Sequence, residues 1–163
     1  MIRDAKTGDF PVILALNSKM EQYLSVLNGE LLSYLRGVAV YHRVIEVGSE
    51  GVVGFLLALR EGADYRSPNY RWFAERYEEF VYIDRVVIAP SQQGQGLGKL
   101  LYDDLFAFAR KNGDSMVTLE FDIEPPNEAS RRFHAKYGFR EVGTQWVADG
   151  KKQVSLQVAG VNR

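Results

Sequence analysis

The sequence predicts a mixed α/β (α+β) domain, with helices on both faces of one sheet. Three observations carry this. Helical and strand-like stretches interleave along the chain, two strand pairs are joined by short hairpin turns, and one apolar strand runs through a glycine-rich turn straight into an amphipathic helix. The 163 residues suffice for one domain with a real core, so the expectation is a single domain over 1–163.

Taken in order, Asp9 stands as an N-cap before Phe10 and Pro11, and Ile13, Leu14 and Leu16 follow at helical spacing. NGELLSYLRG predicts a second helix from about residue 28 to 36, closed by Gly37. VAVYHRVIEV and VVGFLLALR flank the turn GSEG (48–51), which reads as a hairpin of strands at 39–47 and 52–60. Residues 61–80, EGADYRSPNYRWFAERYEEF, have no strand pattern and many aromatics; they form either a lid or binding loop, or a short surface helix over a sheet edge.

FVYIDRVVIAP (80–90) is a strand that Pro90 must end. Leu97, Leu101, Leu105 and Phe108 then recur at spacings of four, four and three, which predicts a helix with one buried face ending near Asn112–Gly113. MVTLEFDIE (116–124) alternates as a strand, PPNEASRRFHAKYGF (125–139) reads as a helix closed by Gly138, and 141–147 pairs with 152–158 around Asp149–Gly150. The order is β α α β β, then β α β α β β.

Composition excludes several function classes. Twenty Lys and Arg nearly balance 21 Asp and Glu, so no excess of charge points to nucleic acid or an anionic membrane. The absence of cysteine removes a disulfide framework, thiolate metal ligands and a Cys nucleophile together, and two histidines, His42 and His134, argue against a metal site. No apolar run approaches the roughly 20 residues of a membrane span, and MIRDAKTGDF lacks the apolar core of a signal peptide, so a soluble cytoplasmic protein is expected.

The stretch QQGQGLGK (92–99) places Gly94, Gly96 and Gly98 where a helix begins. Unpaired N–H groups point outward at a helix start, and missing Cβ atoms let a phosphate approach the backbone, which makes a pyrophosphate cradle. Gly98-Lys99 is followed by Leu100, with no hydroxyl for magnesium, so the P-loop pattern fails; Gly94-x-Gly96-x-Gly98 also misses the dinucleotide fingerprint by one position.

Gln93-Gly94-Gln95-Gly96-Leu97-Gly98 fits Q/R-x-x-G-x-G/A. It follows Val87-Ile88-Ala89-Pro90 and precedes Asn127-x-x-Ser130 and Phe133-(x)4-Gly138-Phe139. On these residues the sequence resembles the GNAT superfamily of N-acetyltransferases from about 80 to 143. The resemblance implies a GNAT-like acyl-CoA acyltransferase fold: a central mixed, mostly antiparallel sheet with strands 4 and 5 splayed. It implies acetyl-CoA as cosubstrate and no metal. The main-chain groups of Val86, Val87 and Ile88 would hold the pantetheine and the developing oxyanion, and the amides of Gln93, Gly94, Gln95, Gly96, Leu97, Gly98 and Lys99 the pyrophosphate, unless Lys99 is simply a solvated helix charge. Asn127 would bond the pantetheine arm, cap its helix, or both, with Ser130 and Phe133 beside it.

Acetyl transfer needs a neutral amine, a polarised thioester carbonyl and a proton for the departing thiolate. The family usually places a tyrosine five residues before the Phe of its Gly-Phe pair; that position is His134 here, with Tyr137 three residues on. Ser130, His134 and Tyr137 share a helix face, so the acid is His134, Tyr137 or solvent. For the base, Tyr82, Asp84 and Val86 alternate onto one strand face; some family members carry Glu where Tyr82 stands, which passes the role to Asp84 or water, or leaves Asp84 a salt-bridge partner. Glu120, Asp122 and Glu124 alternate with Leu119, Phe121 and Ile123, either attracting a cationic amine, unneutralised by lysine, or forming a solvated face. Tyr65, Asn69, Tyr70, Trp72 and Phe73 are the candidate acceptor contacts.

The implied reaction is direct attack by an amine of a small molecule or peptide in a ternary complex, with no nucleic acid or membrane partner. The alternative is a non-catalytic acyl-CoA-binding or regulatory module that kept the cradle and lost its acid. An acyl donor longer than acetyl, and a homodimer formed through the final strands, are both compatible with the sequence.

Overall fold

The computed structural model describes residues 1–162. Among them are strands β1 (Ile2–Asp4), β2 (Tyr41–Val47), β3 (Gly51–Arg60), β4 (Val81–Ile88), β5 (Met116–Glu124), β6 (Arg140–Val147) and β7 (Lys152–Gly160). The helices are α1 (Phe10–Ser18), α2 (Gly29–Val38), α3 (Pro68–Ala74), α4 (Leu97–Lys111) and α5 (Glu128–Tyr137). The sheet order is β1-β2-β3-β4-β5-β7-β6, mixed and mostly antiparallel, with β4 and β5 parallel. No described helix is long and apolar enough to cross a membrane.

The chain folds as two compact units, one built from Met1–Leu59 and Ile83–Phe108, the other from Arg60–Tyr82 and the chain from Ala109 on. In the first, β2 pairs antiparallel with both β1 and β3, and a 3-10 turn at Gly48–Glu50 joins the β2–β3 hairpin. Ile13, Leu32, Leu35, Val44, Phe55, Leu57, Leu101 and Leu105 are sealed from solvent, so helices and sheet share one core.

Three local expectations change here. Asp9 precedes α1 but makes no side-chain cap bond to it; its carboxylate accepts from Lys6 N at 2.8 Å and from both Arg3 Nη atoms, because a charged partner outcompetes a neutral amide. Gly37 lies inside α2, which closes two residues later when Ala39 N donates to Leu35 O at 2.8 Å; its start is the expected one, Asn28 Oδ1 accepting from Leu31 N. On α4, Leu97 and Phe108 are only half-buried, and the buried stripe runs through Leu101, Tyr102, Leu105 and Phe106.

In the second unit, β7 lies between β5 and β6, with antiparallel pairing to each. Ala148, Asp149 and Gly150 turn the β6–β7 hairpin with φ of 54°, 55° and 81°. The first residues of β4 join this unit through the parallel pairs Val81–Val117 and Tyr82–Thr118. Within the aromatic stretch 61–80 the short helix α3 forms, on which Tyr70 and Phe73 are buried with their rings 5.4 and 5.9 Å from that of Tyr82. The helix α5 covers the opposite face, where the His134 ring stacks on Phe121 at 5.4 Å.

Candidate active site

In the first unit, β4 delivers the chain through Ala89 and a 3-10 turn at Pro90–Gln92 to the glycines ahead of α4. Ala89 N donates to Val53 O at 2.8 Å, and a Cβ on Gly54 would stand 2.7 Å from Val87 O. Glycine at 54 is therefore what lets β3 approach the backbone of β4 this closely.

Gly94 and Gly96 adopt φ of 84° and 79°, a region that side chains disfavour, and Gly94, Gly96 and Gly98 each have open space where a Cβ would sit. The first-turn N–H groups of α4 have no intrahelical acceptors by construction; the ladder begins with Leu100 N donating to Gly96 O at 3.1 Å. Gln93 Nε2 donates to Ile88 O at 3.1 Å, which occupies one of the two lone pairs of that carbonyl. Gln95 is exposed and Leu97 half-buried. Lys99 Nζ pairs with Asp103 at 2.9 Å one turn on, an exposed helix ion pair.

Asp84 is closed by Arg85, whose Nε donates to Oδ2 at 2.7 Å. The remaining Arg85 nitrogens donate to Asn17 Oδ1, Ser25 O and Ser25 Oγ at 3.0, 3.2 and 2.9 Å. A carboxylate so held is a poor candidate for proton transfer. The strand pattern hid Arg85, which occupies an apolar position of β4; a charge at such a position is the signal that a buried partner exists.

In the second unit, Asn127 caps α5, its Oδ1 accepting from Ser130 N at 3.2 Å, and Gly138 closes the helix at φ 115°. His134 is buried among Phe121, Phe133 and Phe139. Its Nδ1 lies 2.7 Å from the carbonyl oxygen of Ser130 and 3.1 Å from the Ser130 hydroxyl. Only an N–H satisfies a carbonyl, so Nδ1 carries the proton of the neutral ring. Burial holds the imidazole below its ordinary pKa, and a neutral Nδ1–H ring has no proton on Nε2 to give to a thiolate. Tyr137 is half-buried and stacks on Phe133 at 6.0 Å.

The three β5 carboxylates do not form one solvated face. Tyr82 Oη donates to Glu120 Oε1 at 2.7 Å. Asp122 is buried, with Lys152 Nζ at 3.4 Å from its Oδ2, and burial pushes its carboxyl up. This lysine overturns the expectation of unneutralised acids. A register shift between Asp122 and Glu124 breaks the alternation that put Glu124 with them, and Glu124 is exposed.

The expected acceptor contacts divide. Tyr70 is core, its hydroxyl donating to Arg60 O at 2.6 Å and accepting from Ala63 N, and Phe73 is sealed. Trp72 packs where a side chain at Gly143 would overlap its indole, and Arg76 lies 3.9 Å over its ring. Asn69 Oδ1 accepts from Gln145 Nε2 at 2.8 Å; Tyr65 is half-buried, edge-on to Tyr70. Thr118, not among the expected site residues, is sealed, and its hydroxyl has no hydrogen-bond partner among the described residues. No group of three or more potential metal ligands occurs among the described residues.

Residues 14–139, carrying the glycine turn, β5 and α5, match the acetyltransferase (GNAT) family. The chain belongs to that family. A phosphinothricin N-acetyltransferase of Streptomyces coelicolor is 47% identical over 60 residues, 36% of this chain and 33% of that protein. The matched stretch thus spans about a third of that relative's length. Among solved structures, Ard1 from Thermoplasma volcanium has a TM-score of 0.79 at 18% identity, covering 100% of this chain and 98% of its own. N-acetylglutamate synthase from Neisseria gonorrhoeae, complexed with coenzyme A and N-acetyl-glutamate, has a TM-score of 0.72 at 18% identity, covering 100% of this chain and 35% of that one. At such identities these two establish a shared GNAT fold.

Proposed function

We propose that this chain is, as one domain, a cytoplasmic acetyl-CoA-dependent N-acetyltransferase in which an acceptor amine attacks the thioester directly. The observation that carries the reading is the turn 94–98: two glycines at positive φ, with open space at every Cβ, leading into the unpaired first-turn amides of α4. That arrangement fits a pyrophosphate, and it lies inside the family match.

In this reading the amides from Gln93 to Lys99 hold the pyrophosphate. The main-chain groups of Val86 and Val87 hold the pantetheine and receive the charge that develops on the thioester oxygen, and Asn127 contacts the pantetheine arm while still capping α5. Tyr137 protonates the departing thiolate; the neutral, ring-enclosed His134 is a packing residue. A thioester exchanged for an amide needs no metal, so the chain's own groups suffice for each proton and charge.

Calorimetric titration with acetyl-CoA, followed by thiol release measured across primary amines, amino acids and peptides, tests the reading. Micromolar binding with amine-dependent release is expected. Tight binding with no release for any amine would favour the non-catalytic acyl-CoA-binding module, and absence of binding would remove both.

A further inference from the structure

We propose that Arg85 is a positioning residue for acetyl transfer: through a cross-braced set of hydrogen bonds to Asn17 and Ser25 it sets where the main chain of Val86 and Val87 stands against the thioester. This rests on the acetyl-transfer reading above. Arg85 is buried on β4, one residue before Val86, and acts through that main chain rather than on the acetyl group.

The strand needs such a brace because its two halves are held differently. The parallel ladder of β4 with β5 runs through Val81–Val117 and Tyr82–Thr118 and ends there. The later residues of β4 belong to the first unit, where β3 is their sheet neighbour: Ala89 N donates to Val53 O at 2.8 Å, beside the close approach at Gly54. Between these two fixed points lie Val86 and Val87. Main-chain donors can stabilise a developing charge only where the surrounding structure has already set their position.

Arg85 supplies that constraint. Its Nη1 donates to Asn17 Oδ1 at 3.0 Å and to Ser25 O at 3.2 Å, and its Nη2 to Ser25 Oγ at 2.9 Å. Asn17 Nδ2 donates to the same Ser25 O at 3.1 Å, which closes the brace into a triangle. Asn17 is sealed near the end of α1 and Ser25 lies in the connection to α2, so strand, helix and connection are tied together within one unit. The planar guanidinium fork fixes direction as well as distance. Exchanging a buried ion pair for apolar residues of similar size often leaves stability unchanged, so stability alone is a weak reason for a charge at this position. Placement of the strand is a stronger one, because a displacement of about 1 Å at a reacting centre can cost about a hundredfold in rate.

Vibrational difference spectroscopy reads this placement without an acceptor. Acetyl-CoA isotope-labelled at its carbonyl carbon is bound to the full chain and to its Arg85→Lys and Ser25→Ala variants, with affinity measured by calorimetry. Hydrogen bonds from β4 should lower the carbonyl stretch of bound acetyl-CoA below that of the free molecule. Arg85→Lys keeps the charge and loses the fork, so its band should move back toward the free position. Its acetyl-CoA affinity should stay within about threefold, since the amides of the glycine turn are untouched. Ser25→Ala removes one acceptor at an exposed residue and leaves the bonds of Arg85 to Asp84 and Asn17 in place, so the band should shift the same way by less. With the best amine from a panel of primary amines, amino acids and peptides, kcat should fall about tenfold to a hundredfold in Arg85→Lys. The double variant should fall no further than Arg85→Lys alone, as members of one network do.

A merely structural Arg85 would lower stability and leave both the band and the kcat of the folded fraction unmoved. That result in Arg85→Lys, or in Ser25→Ala where Arg85→Lys does not fold, overturns the proposal alone. No lowering of the band in the unsubstituted chain, or no transfer to any amine, overturns it together with the acetyl-transfer reading.

Discussion

Arg85 Nε donates to Asp84 Oδ2 at 2.7 Å with the two side chains only 2% and 4% exposed, and the same guanidinium ties β4 to Asn17 and to Ser25. The pair anchors the strand whose backbone leads to the glycine turn. Removing one member of a buried pair strands the other, which costs about 3–5 kcal/mol.

Asp84→Ala should therefore lower stability by about 3–5 kcal/mol in urea unfolding, a loss out of proportion to any effect on the acetyl-CoA affinity of the folded fraction. A stable Asp84→Ala protein with kcat reduced a hundredfold would instead make Asp84 the base.

His42 should make the fold acid-sensitive. Both ring nitrogens are buried without a hydrogen-bond partner, and burial, reinforced by Arg36, lowers its pKa from 6.5 to about 4, with Asp9 opposing. The unfolded chain binds the proton first, so stability is complete above about pH 6.5 and falls as pH drops towards 4. The loss is on the order of 2 kcal/mol after allowing for partial exposure. His134, also lowered by burial, acts in the same direction. His42→Phe should flatten the decline in unfolding free energy between pH 7 and 4; an unchanged slope would assign the acid loss to other groups.

The element order, both hairpins, the Asn127 cap and the Gly138 stop were legible because each depends on neighbours in sequence. What was not legible depends on distant partners. Arg3 draws Asp9 away from capping α1, Lys152 neutralises Asp122 from a different strand, and the packing of Tyr70 and Phe73 against Tyr82 decides for the short helix over the binding loop, the two alternatives open for residues 61–80. At the site, the glycine turn carried a local signature. The acid and base did not, since the roles of His134 and Asp84 turn on burial and on Arg85, neither of which any spacing reveals.

The glycine turn yields a sharp substitution. Gly96→Val forces a β-branched residue toward φ 79° and fills the open space beside the first-turn amides. Stability should fall by about 1–2 kcal/mol, and calorimetric acetyl-CoA affinity by tenfold or more, equivalent to at least about 1.4 kcal/mol. Unaltered affinity would move the pyrophosphate elsewhere.

Tyr137 and His134 separate in kinetics. Tyr137→Phe should lower kcat by about tenfold to a hundredfold with acetyl-CoA affinity unchanged, whereas His134→Phe should mainly alter stability. The reverse pattern would restore His134 as the acid.

The most direct measurement follows the acetyl group itself. Isotope-labelled acetyl-CoA is incubated with the intact protein and a panel of primary amines, amino acids and peptides, and the label is traced by mass spectrometry. Label on the amine nitrogen, with one coenzyme A thiol released per label transferred, is the predicted result. Label that stays on coenzyme A, or is released only as acetate at a rate independent of the amine, would contradict the account.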